Sequence, residues 1–379
     1  MKKIIKWPIG IIALITALLY LTDYNYILKG VRVVYLTGHT TAYIDDHPSF
    51  ENERIPASSN PQPWSIHEDY NKIEPTQKLS EIHKELGTIA FLVIKNDSIW
   101  HEKYSEEYGK ESQTNSFSMA KSITSALLGK AIKDGFIANL EQPVGDFYPQ
   151  YAGSGLTVGD LSSMASGLDW DESYTSPFSV TARSYYDDNL AETILNQKII
   201  ETPGKSYKYL SGNTQLLGMV IKKATGQTLS KYLAESFWEP MGFENEALWQ
   251  LDDSEHRLEK SYCCIASNAR DFARFGKLYS NSGTWRSVSI LDSSFVATST
   301  QQRFKESPEY GYGFWLSDHL NKNIFVMRGI LGQYVISIPE DNLIIVRLGH
   351  QRGEYSGRPF TNEFYDYIDA VYEMTGMGS

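Results

Sequence analysis

The sequence predicts an α/β (α+β) body: an antiparallel sheet built from both ends of the chain, flanked by helices, with a helical subdomain between. Three observations predict it. First, Ile89 to Lys95 is a continuous apolar run, Asn96-Asp97 forms a turn pair, and Ser98 to Tyr104 follows, which is a hairpin signature. Second, Ile324 to Met327, Gln333 to Ile338 and Leu343 to Leu348 read as three further strands. Their separators, Gly329 to Gly332 and Pro339 to Asn342, are too short for helical crossovers, so these strands are expected to be antiparallel. Third, the long middle repeats at helical spacing, in Ile123, Leu127, Ala131 and Ile132 and again in Leu216, Leu217, Val220 and Ile221. Phe272 to Tyr279, behind the capping candidates Ser267 and Asn268, adds another helix. Strands at both ends with helices between imply a single sheet.

Ahead of that body lie two segments of different character. Lys2, Lys3 and Lys6 precede an apolar run from Trp7 to Leu21, the layout of a secretory signal. No small-x-small cleavage site follows Ala17, so an uncleaved signal anchor over residues 1–28 is favoured over a cleaved signal peptide. Either way the body is expected outside the cytoplasm, periplasmic or extracellular, and the anchor form meets a membrane through this segment. Residues 29–75 carry turn formers (Asp45-Asp46-His47-Pro48, Ser58-Ser59-Asn60-Pro61) and no strong helical period, and read as an extended arm. Residues 76–379 form the domain proper.

Composition excludes several function classes. The 379 residues are 41% hydrophobic and 21% charged, enough to bury a substantial core, and the net charge of -11 repels nucleic acid. The two cysteines, Cys263 and Cys264, are adjacent, which excludes a CxxC metal site and a conventional disulfide framework. They read as a pair of small buried hydrophobes, with a vicinal disulfide as the alternative. The eight histidines form no HExxH arrangement, so neither metal nor cofactor is expected.

Chemistry is expected at Ser118-Met119-Ala120-Lys121, which opens a helix. Residues three apart share a helix face, so the Lys121 side chain can reach the Ser118 hydroxyl. A serine at the first turn also lies at the positive end of the helix dipole, which favours a developing negative charge. An SxxK tetrapeptide alone also suits a solvated helix start. Here it is followed in order by Leu156-Thr157-Val158-Gly159-Asp160-Leu161, Ser166-Gly167-Leu168-Asp169-Trp170, a run from Pro203-Gly204 through Tyr209-Leu210-Ser211-Gly212-Asn213, Tyr310-Gly311-Tyr312-Gly313, and Met327-Arg328-Gly329-Ile330.

This ordered set resembles the class C β-lactamase-related serine hydrolases, most closely the 6-aminohexanoate-dimer (nylon oligomer) hydrolase-like branch. The resemblance spans Leu28 to Tyr372 and implies a β-lactamase/DD-peptidase-like fold. It implies that Ser118 is acylated and that Lys121 keeps the site poised. Tyr209 matches the tyrosine of the YxN motif, a phenol whose pKa of about 10 must be lowered by a neighbouring cation to act near neutrality. Lys121 is the candidate cation, and either Lys121 or Tyr209 could take the serine proton. The backbone N–H groups of Ser118 and Ile330 are the implied oxyanion hole, and Gly329 lets the strand approach closely. Tyr174, Ser211 and Gly329 are the expected substrate-binding residues.

Two departures bear on substrate. Met327-Arg328-Gly329 lacks the usual strand lysine, and Ser211 replaces the YxN asparagine. Strand alternation is expected to turn Arg328 away from the face shared by Met327 and Gly329. These losses argue against β-lactam turnover and for hydrolysis of small carboxylic esters or linear amides. The alternative is a membrane-anchored penicillin-binding-type peptidase or an acylated sensor.

Overall fold

The computed structural model describes residues 6–105 and 107–377, so Lys2 and Lys3 of the basic start lie outside the described residues. Among the described residues, seven strands form the main sheet, in the order Trp315–Ser317, Ile324–Arg328, Tyr334–Ile338, Leu343–Gly349, Thr88–Lys95, Ser98–Tyr104 and Ser65–Ile66. Every neighbouring pair is antiparallel except the last, where Ser65 and Ile66 run parallel to Ser98 and Ile99. The Thr88–Lys95 strand pairs with Leu343–Gly349, so the two ends of the domain do meet at the centre of one sheet. Asn96 (φ 49°) and Asp97 (φ 64°) make the hairpin turn, the left-handed pair that matches strand twist.

The expectation of a single sheet needs correcting. A second, four-stranded sheet joins Asn52–Ile55, Ala247–Gln250, Ile265–Ser267 and Thr114–Asn115, and a two-stranded one pairs Thr284–Trp285 with Val288–Ser289. Strands of two to four residues carry too short an alternation to stand out in a sequence.

The main sheet separates two apolar layers, as side-chain alternation requires. Leu92, Ile94, Met327, Val335 and Ile344 face the larger core, and Phe91, Val93, Val326, Ile336 and Ile345 the smaller one. Helix Ala269–Ser280 covers the first face, capped by the Asn268 side chain, which accepts from the Asp271 N–H. Its Gly276 brings helix and sheet together: an added Cβ would fall 2.7 Å from Ser337 Oγ. Helices Gln77–Glu85 and Asn362–Thr375 cover the other face. Helices Met119–Lys133 and Ser211–Thr225, read from their periodicity, are buried along most of their length.

The arm over 29–75 is not simply extended. Helix Tyr26–Val33 runs into it, two strands leave it, and its Asp46 is fully buried beneath the site. Helix Tyr26–Val33 docks through the Tyr26 hydroxyl, which donates to Pro177 O (2.8 Å), and Lys29, which pairs with Asp188. Helix Lys6–Leu21 holds the apolar run and is exposed at Trp7, Ile9, Ile12 and Leu14. No helix among the described residues is long and apolar enough to cross a membrane. Cys263 and Cys264 are joined as a vicinal disulfide, not a free pair, although both side chains are buried as expected.

Candidate active site

Ser118 stands at the first turn of helix Met119–Lys133, as the cap residue, yet its side chain caps no backbone N–H. The hydroxyl faces Lys121 instead, with Nζ 3.0 Å from Oγ. The residue before it, Phe117, is held at φ 44°, a region that bulky side chains avoid at a cost of about 1–3 kcal/mol. Its N–H donates to Asn115 Oδ1 (2.8 Å). Asn115 in turn donates through Nδ2 to Asp46 (2.9 Å), which also accepts from the Tyr185 hydroxyl (2.6 Å). Burial raises the Asp46 carboxyl to about 6, against the pull of the Tyr185 and Asn115 hydrogen bonds. The arm therefore buttresses the turn that carries the nucleophile.

Lys121 is almost fully buried. Its amine meets Ser211 Oγ (3.1 Å) and the Tyr262 carbonyl (3.0 Å) besides Ser118. Burial lowers its pKa to about 8, opposed by the negative charge of Glu172. Tyr209 lies beside it, with Nζ 5.0 Å from the ring centre. The expectation that Lys121 lowers the Tyr209 phenol is not met: burial pushes it up, and the hydrogen bond with Ser118 does not offset that. Of the two groups, only the amine titrates near neutrality.

The strand expected beside the nucleophile is there. A Cβ on Gly329 would fall 2.7 Å from the Ser116 carbonyl and 2.6 Å from Gln333 Oε1, so glycine lets the end of Ile324–Arg328 lie against the nucleophile turn. Neither the Ser118 nor the Ile330 N–H has a hydrogen-bond acceptor among the described residues. Two unpaired amides on adjoining segments are the raw material of an oxyanion hole. Arg328 points to the opposite face from Met327, as alternation required. It donates to the Pro359 carbonyl (3.1 Å) and the Tyr355 hydroxyl and packs over Trp315 and Phe360. Trp315 packs against Tyr209 with ring centres 5.3 Å apart and planes tilted by 35°, so an aromatic ring lies between this cation and the phenol.

Sequence reasoning missed Glu172. Its carboxylate accepts from the Ser211 backbone N–H (2.6 Å) and from the Ser211 hydroxyl (2.6 Å), at the start of helix Ser211–Thr225, and from the Tyr174 hydroxyl. Gly212 makes this possible, because Trp170 packs where its Cβ would stand, 2.4 Å from Trp170 Cε3. The residues are 39 apart in the chain, and Asp171-Glu172 looks like ordinary loop acidity. Ser211, expected to bind substrate, is hydrogen-bonded to Lys121 and Glu172. Tyr174 is half exposed at 49%, with its hydroxyl on Glu172. The Leu156–Leu161 motif stays outside the site: Asp160 completes a capping box with Thr157, pairs with Arg303 and backs Gly204, which steadies the segment leading to Tyr209.

Residues 76–369 match the family model described as Beta-lactamase. The 6-aminohexanoate-dimer hydrolase of Paenarthrobacter ureafaciens is 24% identical over 290 residues, covering 70% of this chain and 73% of that protein. A Bacillus anthracis protein provisionally described as a 6-aminohexanoate-dimer hydrolase superposes with a TM-score of 0.74 at 20% identity, over 92% of this chain and 95% of its own. The D-amino acid amidase of Ochrobactrum anthropi SV3 shares the fold (TM-score 0.60, 14% identity, 79% of this chain and 96% of that one). A family match running through most of the chain decides its membership: it belongs to the β-lactamase family, as a serine hydrolase built on that fold.

Proposed function

We propose that the protein hydrolyses small carboxylic esters or short linear amides through an acyl-enzyme on Ser118. The carrying observation is the 3.0 Å contact between Ser118 Oγ and an amine that burial has brought to about 8. Neutral Lys121 takes the hydroxyl proton while Oγ bonds to the substrate carbonyl carbon. The carbonyl oxygen, now negative, is held by the Ser118 and Ile330 N–H groups, each such donor being worth ~10²–10³ in rate. Collapse expels the alcohol or amine, which leaves with the proton from Lys121. Water then repeats the sequence on the acyl-enzyme and frees Ser118. Tyr209, protonated near neutrality, serves as a hydrogen-bond donor beside Oγ.

Ester and amide rather than β-lactam follows from the third motif. A bound β-lactam needs a cation for its carboxylate, and Arg328 is enclosed by Trp315, Phe360 and Tyr355. Losing one charge-assisted hydrogen bond costs about 1.5–3 kcal/mol. Relatives named as hydrolases of an amide dimer and of an amino acid amide support linear substrates. A fluorophosphonate is expected to label Ser118 in the wild type and not in Ser118→Ala. Among substrates, p-nitrophenyl acetate or butyrate is expected to exceed a chromogenic cephalosporin in kcat/KM. Equal labelling of Ser118→Ala, or a cephalosporin faster than every ester, would refute the reading.

We also propose that helix Lys6–Leu21 holds the body at a membrane, with the domain outside the cytoplasm. Its exposed apolar side chains, behind a lysine-rich start, support this reading. The full chain is expected in the membrane fraction and resistant to a salt wash. Its recovery from the cytosolic fraction would overturn the proposal.

A further inference from the structure

We propose that Glu172 is a positioning residue: through the Ser211 hydroxyl it orients the Lys121 amine so that its lone pair meets Ser118, and its carboxylate is the counter-ion of Lys121 once that amine holds the proton. The inference rests on the roles of Ser118 and Lys121 proposed above and assigns this carboxylate a task within them.

A serine hydroxyl has one proton to give. The Ser211 hydroxyl gives it to Glu172 Oε1 at 2.6 Å, and the same carboxylate is locked in place by the Ser211 N–H on Oε2 at 2.6 Å. Towards Lys121, 3.1 Å away, Ser211 Oγ can therefore only accept. The Tyr262 carbonyl, 3.0 Å away, can only accept as well. A neutral amine has two hydrogens and one lone pair. Both hydrogens are claimed, and the lone pair is left for the third neighbour, Ser118 Oγ. When the proton passes from Oγ to Nζ as the Oγ–carbon bond forms, the new N–H lies along the same direction and nothing has to rotate. Without the Glu172 carboxylate, the Ser211 hydroxyl is free to donate to that lone pair and compete with Ser118.

Electrostatics points the same way. The groups packed around the amine are Ser118, Ser211, the Tyr209 ring at 5.0 Å and the Tyr262 ring at 5.5 Å. Arg328 acts on Tyr209 from behind Trp315. Among the described residues, Glu172 is the one whose charge acts on Lys121, and it favours the protonated amine.

The test is the pH profile of kcat/KM on a p-nitrophenyl ester, with Glu172→Gln and Ser211→Ala beside the full-length wild type. Glu172→Gln is expected to lower kcat ~10–100-fold with KM little changed, as for a misplaced base. It is also expected to move the acid limb down by about one pH unit, because an opposite charge has left the amine. Ser211→Ala keeps the charge, so its limb stays near that of the wild type while kcat falls. A Glu172→Gln acid limb coincident with the wild type, or a kcat within about threefold of it, would overturn the proposal. If Glu172→Gln does not fold, Ser211→Ala decides it, and a wild-type kcat there would equally overturn it. Fluorophosphonate labelling of Ser118 in the wild type keeps this failure separate from failure of the acyl-enzyme itself.

Discussion

Gly329→Ala tests the join between strand and nucleophile most directly. The added Cβ would stand 2.7 Å from the Ser116 carbonyl oxygen, 2.6 Å from Gln333 Oε1 and 2.9 Å from Gln333 Cβ, all well inside contact. Neither neighbour can step aside cheaply. Ser116 is held in the second sheet's frame, its N–H donating to Ile265 O and its Oγ accepting from the Ile265 N–H. Gln333 is fully buried, accepting from the Leu331 N–H and donating to Gly349 O. The strand end must therefore retreat, carrying the Ile330 N–H away from Ser118. Overpacking of this kind costs about 1–3 kcal/mol of stability, and loss of one oxyanion donor costs ~10²–10³ in kcat. Steady-state kinetics on p-nitrophenyl butyrate, with thermal unfolding measured in parallel, separates the two effects. We expect a folded variant with kcat down at least ~100-fold and KM little changed. A folded Gly329→Ala with kcat within about threefold of wild type would refute the placement of Ile330 in the site.

Wild-type kcat/KM is expected to rise with pH through about 8. The Lys121 amine is charged below that value and available as a base above it; a profile flat from pH 6 to 10 would contradict Lys121 as the proton acceptor. Asp46→Ala should destabilise the protein by about 2–4 kcal/mol, because the Asn115 amide and the Tyr185 hydroxyl both lose a buried acceptor. Urea unfolding measures this, and kcat should fall with it since Asn115 holds Phe117 in place. Gly212→Ala should displace Trp170 and with it Glu172; an unchanged kcat would show that the Trp170 to Glu172 loop does not need its seat on helix Ser211–Thr225.

What the sequence determined by itself was whatever depends on neighbours along the chain. The hairpin at Asn96-Asp97, the antiparallel run from Ile324 to Gly349 and the buried helices at Met119 and Ser211 all follow from periodicity and turn chemistry. So does the Ser118–Lys121 pair, because an interval of three on a helix is already a contact. Tertiary structure alone decided what depends on neighbours across the fold. Glu172 reaches Ser211 only because glycine at 212 leaves room for Trp170, and the Tyr262 carbonyl reaches Lys121 across 141 positions. Asp46, in a stretch that reads as an extended arm, is buried under the nucleophile turn. The protonation states belong to the same class. A phenol beside a lysine suggested a lowered tyrosine, but burial raised Tyr209 and lowered Lys121. Desolvation disfavours whichever form is charged, and how far each group is removed from water is set by the whole packed structure and not by residue order.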